Sequence, residues 1–244
     1  MIVKKIIRNT LMYLYSARTE YRPTILMYHS VDNNKYFFTV SKNEFKGQIN
    51  ILLEKGHNFK NMEDIYNGNY NNKSIVITFD DGYKDNLTNA LPILEKYNIP
   101  ATIYIATSFI GKKEHGLEML NSENIKFLSN HPLIEIGSHT HSHTDLSKMN
   151  DTQIHKDIIE AKNILENMTG KEILHFSYPR GRYNQKVLQI IKEQTNIKTA
   201  TTVKPGFVNI YNNNFLELNR MSIDKGKYNF IINYLTKKGI ERYF

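Results

Sequence analysis

The sequence predicts an α/β protein, one domain in which parallel strands alternate with helices and close, or nearly close, into a barrel. Three observations carry this reading. Short apolar segments rich in Ile, Val, Thr and aromatic residues alternate with longer helix-like segments along the chain. Seven such units fit into 244 residues, near the usual size of one α/β barrel. Four polar clusters each follow directly on a strand segment, at the rim where barrels of this class carry their chemistry.

The strands are predicted at Thr24–Tyr28, Ser74–Phe79, Ala101–Ala106, Leu133–Gly137, Leu174–Tyr178, Lys198–Val203 and Phe215–Leu218. Their continuous apolar character suits strands covered on both faces. Helices are predicted between them at Lys42–Lys55, Asp85–Tyr97, Ser122–Ser129, Asp151–Met168, Asn184–Glu193 and Tyr228–Lys238. Asp151 reads as an N-cap and Gly170 as the stop of the same helix. Ile99-Pro100 marks the turn into the following strand. Residues 1–22 read as a basic amphipathic helical segment and residues 23–244 as the barrel domain. Asn-rich turns at 67–72 and 211–214 are the only low-complexity stretches.

Composition narrows the chemistry. With no cysteine, thiol nucleophiles, disulfide frameworks and zinc–thiolate clusters are excluded. The net charge of +8 favours anionic partners, but the basic residues are dispersed and nucleic-acid binding is not expected. No apolar run reaches the ~18–20 residues of a bilayer span. The segment Met1 to Ala17 imitates a secretory signal only weakly, because Arg8 and Asn9 interrupt its apolar stretch. As a helix, it alternates Ile2, Ile6 and Met12 with Lys4, Lys5 and Arg8, so it either rests on a membrane surface or packs on the barrel. The expected location is cytoplasmic, with peripheral contact at the inner membrane face.

The four rim clusters are Tyr28-His29-Ser30, Asp80-Asp81, His139 to His143, and Tyr178-Pro179-Arg180-Gly181. His139 and His143 share a face in either an extended or a helical segment, so both can reach one ion; His141 joins them only if the segment is extended. Two imidazoles and one carboxylate, with positions left for water and substrate, suit Zn²⁺ first and accommodate Fe²⁺, Co²⁺ or Ni²⁺. Adjacent carboxylates at a strand end can divide the work. One binds metal and stays ionised; the other faces the attacking water and accepts its proton.

Thr78-Phe79-Asp80-Asp81-Gly82-Tyr83 followed by His139-x-x-x-His143, on this alternation of elements, resembles the polysaccharide deacetylases (carbohydrate esterase family 4, the nodulation-protein-B-like enzymes) from about Pro23 to Met221. The resemblance implies a distorted TIM-like (β/α)7 barrel, with Asp80 as general base and Asp81, His139 and His143 as metal ligands. It places Arg180, Tyr178 and Tyr83 around the oxyanion and the substrate. The third family motif, usually Arg-x-Pro-Tyr/Phe-Gly, reads Ser177-Tyr178-Pro179-Arg180-Gly181, so the arginine that steadies the base is missing; Arg220, after the last strand, is the candidate replacement. The C-terminal Leu-x-His is missing too, since no histidine follows His175. Ile25-Leu26-Met27-Tyr28-His29-Ser30-Val31 is similar to an N-terminal motif of the poly-N-acetylglucosamine deacetylase subgroup, which implies that His29 is the general acid.

The expected function is metal-dependent de-N-acetylation of an N-acetylated sugar in a surface polysaccharide, a glycan or a lipid-linked intermediate. The competing readings are a catalytically silent glycan-binding barrel and a deformylase or other amidohydrolase acting on a lipid-carried sugar.

Overall fold

The computed structural model describes residues 23–210 and 214–225. The N-terminal segment 1–22, most of the 211–214 turn and the helix predicted at Tyr228–Lys238 lie outside them. In chain order the described elements are β1 (Thr24–Tyr28), β2 (Ser30–Val31), β3 (Thr39–Val40), α1 (Lys42–Glu54), β4 (Asn58–Lys60), α2 (Met62–Tyr66) and β5 (Ser74–Phe79). A π-helical turn (Asn86–Ala90) then leads into α3 (Leu91–Tyr97). After it come β6 (Ala101–Ile105), the hairpin β7 (Lys113–Glu114) and β8 (Leu117–Glu118), α4 (Ser122–Asn130) and β9 (Ile134–Ser138). The chain continues through α5 (Asp151–Thr169), β10 (His175–Ser177), α6 (Gln185–Gln194), β11 (Thr199–Thr201) and β12 (Met221–Ser222).

The strands of the main sheet are parallel and run in the order β11, β10, β9, β6, β5, β1, β12. β5 is shared along one edge: Ser74, Ile75 and Val76 pair with β4, and Ile77, Thr78 and Phe79 pair with β6. Every residue of β1 and β5 is buried, as their unbroken apolar sequence predicts. The largest core packs Leu26, Ile75, Ile77, Phe79 and Ile103 against apolar faces of α1, α3 and α4, including Phe45, Leu94 and Ile125. The result is the distorted (β/α)7 barrel expected from the sequence.

The seam departs from the prediction. Phe215–Leu218 is not a regular strand; it meets β11 at one bridge, Thr201 to Leu218, with main-chain hydrogen bonds from Ala200 N to Phe215 O (2.9 Å), Leu218 N to Ala200 O (3.0 Å) and Thr202 N to Leu218 O (2.9 Å), and the edge strand beside β1 is Met221–Ser222. Asparagine side chains take main-chain groups of the same segment that β11 does not. Asn214 Oδ1 accepts from Leu216 N (3.0 Å), Asn209 Oδ1 accepts from Asn219 N (2.7 Å), and Asn209 Nδ2 donates to Glu217 O (3.2 Å).

Other boundaries shift for local reasons. The predicted helix at Asp85–Tyr97 is a π turn followed by α3, with Pro92, which has no N–H, near the junction. The N-cap of α5 is Asn150 rather than Asp151, because the Asn150 side chain accepts from Gln153 N while Gln153 reaches back. Gly170 ends α5 at φ +70°, as predicted. β4 and α2, too short to show periodicity, had no counterpart in the prediction. Among the described residues no helix is long and apolar enough to cross a membrane.

Candidate active site

The polar clusters converge on the rim formed by the C-terminal ends of β1, β5, β9 and β10. Asp80 leaves β5 with its N–H bonded to Tyr28 O at the end of β1 (2.9 Å). Asp81 and Gly82 follow in the left-handed region, at φ +74° and +86°. Gly82 suits that conformation, which residues with a Cβ rarely adopt, and a Cβ there would also press on Ile105 Cδ1 at 2.9 Å. This turn separates the two carboxylates, so Asp80 enters the barrel and Asp81 faces the histidines.

His139 leaves β9 with its N–H on Ile105 O (2.9 Å), and its Nδ1 is paired with Ser177 O (2.7 Å). Its other ring nitrogen, Nε2, is therefore free to face Asp81 Oδ1 at 3.5 Å and Asp80 Oδ2 at 4.0 Å. His143 Nε2 lies 3.1 Å from the same Asp81 oxygen. The segment between the histidines is neither extended nor helical. Thr140 and His143 both have positive φ, +66° and +54°, and Thr140 Oγ1 accepts from His143 N (3.1 Å). That loop brings His139 and His143 together and turns His141 away, onto Thr107 Oγ1 (2.9 Å) and towards Glu160. One ligand atom each from Asp81, His139 and His143 lies within 4.8 Å of the others.

The electrostatics suit an ion. Burial pushes His139 down to about 4, so its imidazole is neutral and offers a lone pair. Burial also raises Asp81, but the His143 hydrogen bond and the surrounding imidazoles outweigh it and hold the carboxyl well below its ordinary value.

Asp80 is 3% exposed and Arg220 1%. Arg220 Nη1 and Nη2 donate to Asp80 Oδ1 and Oδ2, both at 2.7 Å, in a bidentate pair. Arg220 is itself pinned by Thr202 O (2.8 Å), Thr78 Oγ1 (3.2 Å) and Ser177 Oγ (2.9 Å). Burial pushes Asp80 up, and the guanidinium more than offsets it, so the carboxyl stays below its ordinary value. The pair is a buried ion pair and not a surface one.

His29 is half-buried, and among the described residues its Nδ1 has no hydrogen-bond partner. A positive charge on its ring would lower both the Asp80 and the Asp81 carboxyls. Tyr83 is buried beside Asp81, and burial together with that carboxylate pushes its phenol up. Tyr178 is not brought to the site. Its ring stacks on Tyr183 at 4.3 Å, its hydroxyl donates to Leu216 O (2.9 Å) and its N–H to Thr201 O (3.1 Å). Arg180 stands exposed on the rim at φ +56°. Gly181 beside it is forced, because a Cβ would lie 2.3 Å from Val203 Cγ2.

Two features carried no sequence signal that periodicity or motifs could detect. Asp85, Asn86 and Asn89, on and beside the π-helical turn, bind the segment that bears His29. Asn86 Nδ2 donates to His29 O (2.7 Å), Asn89 Nδ2 to Val31 O (2.9 Å), and Asp85 accepts from Ser30 Oγ (2.6 Å) and Val31 N (2.9 Å). The Tyr104 ring packs 5.7 Å from the Arg220 guanidinium, in space that exists because residue 137 is glycine.

The sequence profile of the polysaccharide deacetylase family matches residues 67–198. YxkH of Bacillus subtilis (strain 168), which carries the polysaccharide deacetylase name, is 33% identical over 187 residues, 75% of this chain and 64% of that protein. The poly-beta-1,6-N-acetyl-D-glucosamine N-deacetylase of Staphylococcus aureus (strain MRSA252) is 31% identical over 169 residues, 64% of this chain and 58% of that one. The chain thus spans less than two thirds of the length of these relatives. Among solved structures, the Streptococcus pyogenes deacetylase PplD in complex with acetate superposes with a TM-score of 0.78 at 25% identity, over 89% of this chain and 99% of that one. The chain belongs to the polysaccharide deacetylase family.

Proposed function

We propose that this chain hydrolyses the acetamido group of an N-acetylated hexosamine in a surface polysaccharide, glycan or lipid-linked intermediate, leaving a free amine and acetate. The observation that carries this is the pairing, on one rim, of a clamped and ionised Asp80 with the donor set Asp81, His139 and His143. Family membership, the glycan named for the Staphylococcus relative and the acetate in the Streptococcus structure support the same reading.

The donor set fits a divalent cation, Zn²⁺ first, with Fe²⁺, Co²⁺ or Ni²⁺ as alternatives. His139 is neutral, and its Nδ1 is anchored on Ser177 O, which orients the opposite nitrogen as a ligand requires. When bound, such an ion polarises the acetamido carbonyl and makes its water more acidic.

Asp80 accepts the proton of the attacking water, and Arg220 holds both carboxylate oxygens in place while it does so. His29 donates a proton to the departing nitrogen, because an amide does not expel an unprotonated amine at neutral pH. Its Nδ1 is buried, so Nε2 is the ring nitrogen left to face the substrate. The N–H groups of Tyr178, Gly181 and Arg182 are already committed to main-chain carbonyls, which leaves that of Arg180 as the donor for the developing oxyanion.

The test is acetate release from a panel of N-acetylated glycans and lipid-linked sugars, with and without a chelator. We expect release that the chelator suppresses. Asp80→Asn should abolish turnover while the chain still binds Zn²⁺ in a direct metal titration. Release that ignores the chelator would sink the metal dependence, and an active Asp80→Asn variant would sink the assignment of the base.

A further inference from the structure

The loop that carries His139 and His143 follows a backbone path that its own residues do not favour. Thr140 and His143 sit in the left-handed region, at φ +66° and +54°. Residues with a Cβ stay there only where their surroundings over-determine the conformation. The main-chain groups of the loop show what does so. Thr140 O accepts from Thr107 N (3.1 Å) and His141 O from Ser108 N (3.0 Å), both in the turn after β6. From α5, the single residue Asp157 takes two consecutive N–H groups. Its carbonyl accepts from His141 N (3.2 Å) and its Oδ1 from Ser142 N (2.8 Å).

Asp157 occupies a place that the pattern of α5 reserves for an apolar residue. Ile154, Ile158, Ala161 and Leu165 form the buried stripe of that helix, and Asp157 lies on the same face, 7% exposed. Aspartate is also a poorer helix former than alanine. Its second oxygen, Oδ2, is buried and has no hydrogen-bond partner among the described residues. Neither apolar packing nor helix propensity accounts for a carboxylate at this position; the N–H of Ser142 does. Ser142 directly precedes His143, whose Nε2 lies 3.1 Å from Asp81 Oδ1 and whose ring lies 4.9 Å from that of His139.

We propose that Asp157 is a positioning residue for the metal site: by holding Ser142 N it keeps the loop on its left-handed path and sets His143 beside His139 and Asp81. The proposal rests on the reading of Asp81, His139 and His143 as metal ligands.

The experiment compares wild type with three variants. Asp157→Asn keeps the acceptor oxygen and removes the charge, Asp157→Glu keeps the charge and moves the acceptor by one methylene, and Asp157→Ala removes the acceptor. Titration of each metal-free chain with Zn²⁺ gives a Kd, and urea unfolding of the same chains reports any structural cost separately. The Kd should rise about tenfold in Asp157→Ala and Asp157→Glu, the scale of losing a group that orients a ligand, and stay near the wild-type value in Asp157→Asn. An unchanged Kd in Asp157→Ala overturns the proposal, whatever happens to urea stability, and leaves Asp157 a structural residue of α5. So does a rise in Asp157→Asn equal to that in Asp157→Ala, which would assign the effect to charge. If Asp157→Ala does not fold, the contrast between Asp157→Glu and Asp157→Asn decides the same question. A second readout needs no metal. The nuclear Overhauser contact between the His139 and His143 rings should be present in wild type and Asp157→Asn and absent in Asp157→Ala and Asp157→Glu. If the wild type takes up no Zn²⁺, the metal reading falls, while this ring contact still decides whether Asp157 holds the loop.

Discussion

Asp80 carries a negative charge inside a barrel because Arg220 meets both of its oxygens at 2.7 Å. Desolvation alone would protonate such a carboxyl. The guanidinium is committed in turn to Thr78, Ser177 and Thr202, so the pair is held from both sides. Replacing Arg220 by Met keeps the stem and removes the charge, leaving Asp80 buried and unpaired. We expect a loss of about 3–5 kcal/mol in urea unfolding. The double variant with Asp80→Asn should recover much of that loss, because no orphan charge remains. Simple addition of the two single costs would show that the residues are not coupled. His141 makes the complementary point. By residue type it equals its neighbours at 139 and 143, and two left-handed residues decide that it faces Thr107 and not Asp81.

At the scale of elements, the π-helical turn after β5 joins the two halves of the chemistry. It follows Asp80 and Asp81 in the chain, and the side chains on and beside it grip residues 29–31. Burial pushes Asp85 up to about 6 within this grip, while Ser30 Oγ and Val31 N hold the charged form. Short π segments are common at functional sites, where they re-aim side chains that a regular helix would misplace. Asn86→Ala removes the donor to His29 O. Stability should fall by about 1 kcal/mol, the net worth of one buried hydrogen bond. The turnover number should fall further, about tenfold, with little change in KM, because the loss is one of aim. A kcat that holds while the Tm drops would reduce Asn86 to a structural residue.

The whole barrel has a polar floor as well as a polar rim. At the N-terminal ends of the strands, His175 faces Glu63 of α2 (3.6 Å) and Glu135 of β9 (3.9 Å), with Thr199 on its Nδ1 (2.9 Å) and Lys198 paired to Glu63 (3.0 Å). Glu135 also accepts from the first N–H groups of α2, Met62 (3.0 Å) and Glu63 (3.3 Å), which anchors that helix under the sheet. Burial pushes His175 from 6.5 down to about 4, outweighing the pull of Glu63. Between those pH values the unfolded chain binds a proton that the folded one refuses, so stability falls as pH drops through the window. His175→Gln removes that proton uptake. The stability gap between wild type and variant should narrow by about 3 kcal/mol on acidification across the window, read by urea titrations at successive pH values. A gap independent of pH would mean that His175 is protonated in the fold.

The alternation of strands and helices and the rim positions of His29, Asp80 and His139 were readable in the sequence. Each is local: apolar runs report burial on both strand faces, and the polar residues follow directly on those runs. The seam was not readable, because the side chains of Asn209 and Asn214 meet the main chain of residues 216–219 only once the chain is folded. Nor could sequence alone decide whether Arg220 meets a carboxylate 140 residues away, since that contact exists only when the ring of strands brings its last strand back beside its first. Residue types and their places along the strands fixed which chemistry is available. Ring closure and the backbone path of one loop decided which of those side chains share a site.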